Sequence, residues 1–329
     1  MQFPASIWSG RCAWGALICA FPLILVGGVV TTIGAGMAVQ GWWDAEGHFM
    51  PFFPLDMWLR DLATFVEHKH RLWGLLVGGF ALLAVLFSWM PSRPAPASAR
   101  WASVIALLAV IGQGLLGGLR VLENSRHLAF AHGGLAQLVF SILAVAALLH
   151  RPQPGWGSGG DRPAPSATLW ITAVIVYAQI WVGAWYRHGL RGGEFDIAGR
   201  FHAHLGLAVV ATLAVGWTAS RLSILGREWG QAGLPAAAGP RALARWLHRL
   251  LGLQLLLGFL AWYGHSGSAG QGSVNLLEVT SAVGHVLVGA LLLAALITGA
   301  LRAGWSRSAR PAGPTGPASG PSQTARSGA

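Results

Sequence analysis

Charge is scarce in this chain. Asp, Glu, Lys and Arg make up 10% of its 329 residues, against roughly 25% in an ordinary soluble domain. So little charge beside 54% apolar residues excludes a soluble globular enzyme and a disordered polymer alike. Cysteine is scarcer. Cys12 and Cys19 are the only two, seven positions apart on one helix face, and they read as packing residues rather than as a disulfide. That leaves no disulfide framework. The alternation of apolar and polar residues over segments of about ten, which marks a transmembrane barrel, is missing. No small-residue cleavage site follows the first apolar run, so that run reads as a retained first helix and not as a signal peptide.

Long apolar runs are what the chain does have. Eight stretches reach the roughly 20 residues needed to cross a bilayer: 14–38, 68–90, 101–121, 128–149, 167–187, 201–224, 243–263 and 279–301. Few carry an ionisable residue near the middle. Many of the 46 glycines lie inside them, where close helix packing in a membrane uses small residues. The expected fold is an all-α polytopic membrane protein with eight transmembrane helices. The inner connections Pro91–Arg100 and Arg151–Ser166 are rich in Pro, Gly, Ser and Arg and read as linkers. Residues 304–329 share that composition and read as a disordered cytoplasmic tail.

The net charge of +11 resembles a nucleic-acid signal until it is mapped. One side carries both termini and the even connections. It holds 14 of the 22 basic residues and two of the 11 acids, Asp161 and Glu228. By the positive-inside rule this side is cytoplasmic, and the charge records topology rather than polynucleotide binding. The long outer loop from Gly41 to Phe65 mixes Trp42, Trp43, Phe49, Phe52, Phe53 and Trp58 with four acids. It is expected to lie along the membrane surface, with its rings at headgroup depth.

The spans repeat as hairpins. Three odd-numbered spans carry Gln113-x-x-x-Gly117, Gln179-x-x-x-Gly183 and Gln254-x-x-x-Gly258. The first span has the related pair Gly27-Gly28 without a Gln. These glutamines read first as interhelical hydrogen-bonding groups. Four hairpins make two tandem, pseudo-symmetric four-helix bundles. The expected units are an N-terminal bundle at 1–150, a linker at 151–166 and a C-terminal bundle at 167–303.

Each hairpin's second helix opens, on the outer side, near a histidine: His70, His132, His204 and His285. Four residues on stand small ones, Gly74, Ala136, Ala208 and Gly289, on the same helix face. A small residue one turn below an imidazole leaves room for a flat macrocycle. Imidazoles from facing helices are a recurrent way of holding haem iron, and four intramembrane histidines at equivalent repeat positions mark a functional site. Zinc would want four clustered ligands, whereas the repeat separates these into two pairs. His68 and His202 precede two of them by two residues. A step of two turns a helix by about 200°, so one of each pair faces a given site. The shared downstream pattern favours His70 and His204. The remaining histidines, His188 and His265 among them, read as loop or surface residues.

Glu67 lies three residues before His70, on one face with it. Phe201 holds the equivalent position in the second bundle. A carboxylate beside one macrocycle only can stabilise a developing cation or take a proton from water. It can equally form a salt bridge with Lys69 or Arg71, or favour the helix dipole, and the sequence does not separate these readings.

The segment Glu67-x-x-His70-Arg71 follows Gly27-Gly28-x-x-Thr31 and a long outer loop, with His132, His204 and His285 completing the set. Over roughly 14–302 this pattern resembles the haem A synthase family. The resemblance implies an oxidoreductase that converts the ring methyl of haem O to a formyl by successive hydroxylation, giving haem A. It implies that His70 and His132 hold the substrate haem, that Glu67 is catalytic, and that His204 and His285 hold a haem b for electron transfer. It further implies the bacterial plasma (inner) membrane, haem sites toward the outer side and a farnesyl-haem synthase as haem O donor. The electron acceptor is unassigned and a homo-oligomer is compatible with the sequence. Two departures stand out. Many bacterial members carry a cysteine pair in the first outer loop, which this chain lacks, and Leu205 stands where the first bundle has Arg71. Arg120, Arg126, Arg187, Arg191 and Arg200 are outer-side candidates for haem propionates. A quinol-linked di-haem b electron carrier and a non-catalytic haem-binding membrane protein are the competing readings.

Overall fold

The computed structural model describes residues 5–90, 94–151, 156, 165–192, 196–268 and 274–308. Most of the linker at 151–166 and nearly all of the tail at 304–329 lie outside these residues. Eight long helices dominate: α1 (Ala5–Thr32), α3 (Leu62–Ser88), α4 (Ala97–Leu122), α5 (Arg126–Leu149), α6 (Ser166–Gly192), α7 (Ile197–Gln231), α8 (Ala238–Ser268) and α9 (Leu276–Ser308). Helix is the expected outcome, because a backbone in hydrocarbon must satisfy its own hydrogen bonds.

Seven of these helices are long and apolar enough to cross a membrane, and the chain is a multi-pass membrane protein. The eight expected spans match the eight long helices in place, but α8 falls short on apolar character. Its apolar stretch is interrupted by Gln254, and Arg241, Arg245 and Arg249 occupy its first half. Helix ends also differ from the expected bounds. α1 begins nine residues before the expected 14 and stops at Thr32, where Gly34 takes φ +73° and turns the chain.

Each hairpin's second helix starts at an N-cap. Asp61 accepts from the Thr64 N–H at 2.8 Å, Ser125 from Leu128 at 3.3 Å, Asp196 from Gly199 at 3.0 Å and Asn275 from Glu278 at 2.8 Å. These caps satisfy otherwise orphaned donors and fix where each histidine falls on its helix.

Helices α1, α3, α4 and α5 pack in order, with α5 returning to α1. Helices α6, α7, α8 and α9 do the same, with α9 returning to α6. α9 also packs on α5 and α1, and it is the most buried of the candidate spans. The cores differ in grain. Around α6–α9 it is built from large side chains, including Leu169, Leu222, Leu247, Leu293 and Leu296. Around the first four it is alanine-rich, with Ala16, Ala20, Ala81, Ala106 and Ala146 joined by Ala290 and Ala294 of α9. Small residues let backbones approach closely. Cys12 and Cys19 are free and pack in this region. Trp156, inside the expected linker, is buried in the Leu-rich core.

The outer loop between α1 and α3 has structure of its own. A two-stranded antiparallel hairpin, β1 (Asp44–Ala45) with β2 (His48–Phe49), precedes a 3-10 turn at Met50–Phe52 and the short helix α2 (Leu55–Trp58). Val39, Ala45, Met50 and Phe53 form its core. The loop's aromatics therefore divide. Trp43, Phe49 and Phe52 are exposed, whereas Phe53 is buried.

Candidate functional site

The structure brings the four histidines together in two pairs. The ring centroids of His70 and His132 are 6.3 Å apart with planes at 84°. Those of His204 and His285 are 6.2 Å apart at 75°. Each ring rests on a glycine of its hairpin's first helix. A Cβ added at Gly27 would lie 2.7 Å from His70 Cε1. The same construction gives 2.9 Å for Gly117 and His132, Gly183 and His204, and Gly258 and His285. One contact therefore occurs four times, and Gly27 is the first repeat's counterpart of the three Gln-linked glycines.

The glutamines act as the sequence suggested, between helices. Gln113 Nε2 donates to the His132 carbonyl at 2.7 Å, and Gln179 Nε2 donates to the His204 carbonyl at 3.0 Å. Gln254 meets both ring nitrogens of His285, its main-chain carbonyl lying 3.0 Å from Nδ1 and its Nε2 lying 3.2 Å from Nε2. Holding the second ring nitrogen, as the Gln254 carbonyl does for His285 and Gln179 Nε2 does for His204 at 3.0 Å, is how a protein orients a metal-binding imidazole. The residues fit a haem iron. Two iron–nitrogen bonds of about 2 Å, plus about 1 Å from each nitrogen to its ring centre, need centroids roughly 6 Å apart. One turn below His70, a Cβ at Gly74 would meet nothing within 4 Å. Among the described residues no group of three or more His, Cys, Asp or Glu could hold a metal ion.

The neighbouring histidines face elsewhere. His68 is buried against the outer loop, 5.2 Å from the Phe53 ring and 5.0 Å from Trp58. His202 is exposed.

Glu67 is almost fully buried. Its Oε1 accepts from Arg71 Nη2 at 2.8 Å, and its Oε2 accepts from the Val39 N–H at 2.9 Å. Arg71 also donates to the Val39 carbonyl at 2.8 Å and the Gly41 carbonyl at 2.9 Å. Arg120 donates to the Gly36 carbonyl at 2.5 Å, and Arg60 to the Ala38 carbonyl at 3.0 Å. The irregular stretch 36–42 is thus clamped by side chains where no ladder or helix could satisfy it. Trp42 packs onto Gly118, next to the glycine that seats His132. At the loop's edge Arg60 grips Glu46 with two bonds of 2.7 Å. That bond holds the Glu46 carboxyl below its ordinary range. Asp61 is lowered by accepting from Thr64.

The mouth of the second pair is built differently. Tyr186 stacks on His204 at 6.2 Å and meets Phe201 at 5.5 Å with the rings tilted by 52°. A buried acid stands here too: Glu278 meets His265 Nδ1 at 3.1 Å. Sequence position alone hid this pair, because Glu278 is seven residues from His285 rather than three.

Between the two sites, Arg187 of α6 donates to the Gly28 carbonyl at 2.7 Å and to Thr32 Oγ1 at 2.6 Å on α1. His188, expected in a loop, lies within α6 and packs on Gly133 beside His132. Trp181 packs on Gly134 and meets Phe130 at 5.1 Å. Of the five candidate arginines, Arg120 and Arg187 are engaged with backbone carbonyls, Arg200 stacks over Trp185, Arg126 is exposed, and the Arg191 side chain lies outside the described residues.

This is the architecture of a multi-pass helical membrane protein that presents paired imidazoles inside its helix rings. The chain belongs to the COX15-CtaA family, described as cytochrome oxidase assembly protein, whose model matches residues 10–193. That match takes in Glu67, His70 and His132 and ends before His204. Similar relatives are named heme A synthase. The one from Nitrosospira multiformis is 37% identical over 129 residues, which cover 37% of this chain and 35% of that relative. The one from Symbiobacterium thermophilum is 29% identical over 231 residues, covering 61% and 72%. The one from Sphingopyxis alaskensis is 26% identical over 218 residues, covering 56% and 59%. The chain therefore spans about a third of the first relative's length and more than half of the other two.

Proposed function

We propose that the protein is a haem A synthase, an oxidoreductase that turns the ring methyl of haem O into the formyl of haem A. The observation that carries this reading is the pair of histidine pairs on four equivalent glycine seats, with Glu67 buried three residues before one of them. The names of its relatives support the substrate and the product. On this reading the chain crosses the bacterial inner membrane eight times, as two tandem four-helix bundles at 1–150 and 167–303 joined by the linker 151–166. Both termini and the tail 304–329 are cytoplasmic, and the haem sites face outward.

His70 and His132 hold the substrate haem O, which a farnesyl-haem synthase supplies. His204 and His285 hold haem b, which passes single electrons when bound. The net change is a methyl plus one water giving a formyl, four protons and four electrons, so the site must accept protons as well as export electrons. Glu67 is the catalytic carboxylate for the protons. Arg71 and the Val39 N–H hold it in one orientation, and Arg71 keeps a positive charge against it. Trp42 and the clamped loop close the outer mouth of the first pair and limit its access to water.

The test is to express the protein with and without a haem O supply and separate the extracted haems by chromatography, with a pyridine haemochrome spectrum. Haem A, or a hydroxylated haem O, should appear only with the supply. Glu67→Ala should abolish product while the protein still binds haem. Normal haem A from that variant would remove Glu67 from the chemistry. Haem b alone, about two per chain with or without the supply, would replace the synthase reading with the di-haem carrier, which the near-equal geometry of the two pairs also suits.

A further inference from the structure

At the end of the first ring opposite the histidine pairs, a cleft of about 500 Å³ opens between the start of α1, the middle of α3 and the end of α5. That volume suits a small organic ligand and is far larger than a water or a bare ion needs. Glycines make the cleft's walls meet closely. Gly10 faces His150 Cβ, and a Cβ at Gly15 would lie 2.8 Å from the Phe80 ring.

The chemistry of the cleft is divided. At its rim stand two guanidiniums, Arg11 and Arg151, each lying over an indole: Arg11 over Trp8 at 4.9 Å and Arg151 over Trp14 at 4.7 Å. Neither meets a carboxylate among the described residues. His150 forms the wall between them and is fully engaged, with Nε2 3.1 Å from Ser88 Oγ and Nδ1 2.8 Å from the Ala146 carbonyl. It is therefore a fixed surface and not a free ligand. Below the rim the lining turns apolar, with Phe80 and the exposed Ile18. Two cations with no carboxylate partner among the described residues, set over an apolar trough, select an amphiphile with an anionic head. The cleft sits where the candidate span Ile7–Thr32 begins, which on the topology proposed above is headgroup depth on the arginine-rich side. Basic pockets between helices on that side of a membrane bind lipid phosphates.

We propose that this cleft is the binding site for one anionic phospholipid of the adjoining leaflet. The phosphate sits between Arg11 and Arg151, and an acyl chain runs down over Ile18 and Phe80. The assignment does not depend on the haem chemistry at the other end. The lipid would bridge α1 to α5, the two helices that close the first ring.

The test uses the full chain, purified in mild detergent and stripped of lipid, then mixed with phosphatidylglycerol, with phosphatidylcholine of the same acyl chains, or with inorganic phosphate. Native mass spectrometry should show one phosphatidylglycerol retained, preferred about tenfold over phosphatidylcholine. Arg11→Gln with Arg151→Gln should bring that ratio close to one, while Arg245→Gln with Arg249→Gln, elsewhere on the same side, should leave it unchanged. Photoactivatable phosphatidylglycerol on the unmodified protein should label peptides containing Ile7–Ile18, Phe80 or His150–Arg151. Equal retention of the two lipids by the unmodified protein would overturn the site. So would an undiminished preference in the double variant, or labelling confined to other helices. Thermal stabilisation by inorganic phosphate equal to that by phosphatidylglycerol would overturn the lipid and leave a free-phosphate site.

Discussion

At each of the four histidines, what holds the ring in place is an absence of side chain. Gly27, Gly117, Gly183 and Gly258 leave space for an imidazole edge that a methyl group would occupy. Gly258→Ala should therefore push His285 off its seat. The change is small in volume but sits in a packed contact, where overpacking costs about 1–3 kcal/mol. Haem retained per chain should fall, with a shift of the Soret band, while the His70–His132 site is untouched. Gly117→Ala should do the converse, and equal loss at both sites from either change would argue against independent seats. The histidines and three of their glycines were legible in the sequence because they recur in one register. Gly27 was visible only as a related pair, since Leu23 stands where the other repeats have Gln. The Glu67–Arg71 ion pair was among the readings the sequence left open. The clamping of residues 36–42 by Arg71 and Arg120 was not legible, because backbone acceptors leave no mark in side-chain identity. His188 was misplaced because its apolar run ends near 187, whereas the helix carries on to Gly192.

Among elements, the outer loop depends most on a few side chains. Removing Arg71 leaves Glu67 buried without its counter-charge and frees the Val39 and Gly41 carbonyls. Breaking a buried ion pair from one side costs about 3–5 kcal/mol. Arg71→Gln should thus open residues 36–42 to limited proteolysis while far-ultraviolet dichroism stays that of the intact helices. The loop's edge should respond to acid as well. Glu46 and Asp61 both titrate below their ordinary values of 4.5 and 3.8. Their contribution is complete above those values and is lost as the pH falls through the lower, folded-state ones. Protection against hydrogen exchange at residues 44–61, taken relative to the intrinsic rate at each pH, should hold at neutral pH and fall once the pH drops below the carboxylate range. The helices were legible to within several residues, since length and hydropathy decide them. The N-terminal turns of α1 were not, because Ser9 and Arg11 look like a polar lead-in. The hairpin and α2 were not either: strands of two residues and a single helical turn carry no periodicity to read.

In the whole molecule, the two helix rings are joined, among the described residues, by the polar contacts of Arg187 and by one shared helix. Arg187 joins α6 to the outer end of α1 through the Gly28 carbonyl and Thr32. Arg187→Gln would remove the guanidinium from Thr32 Oγ1 and from the Gly28 carbonyl, which keeps its bond from the Thr32 hydroxyl, and loss of hydrogen bonds from a charged donor costs about 1.5–3 kcal/mol. Thermal unfolding should then begin earlier and separate into two transitions, with the haem of each site reporting its own. A single transition at the unchanged temperature would show that apolar packing alone couples the rings. Most of that packing comes from α9. Its alanines 290 and 294 enter the alanine-rich core of the first ring, while its leucines 293 and 296 complete the leucine-rich core of the second. This sets an order in time. α9 leaves the ribosome after the other seven long helices, so neither core is finished during most of synthesis, and α1 waits in the bilayer for a partner made some 250 residues later. A premature stop before Leu276 would not yield a sound first half and a broken second. Both halves would lose a wall, and a cell's quality-control proteases would meet one defect rather than two.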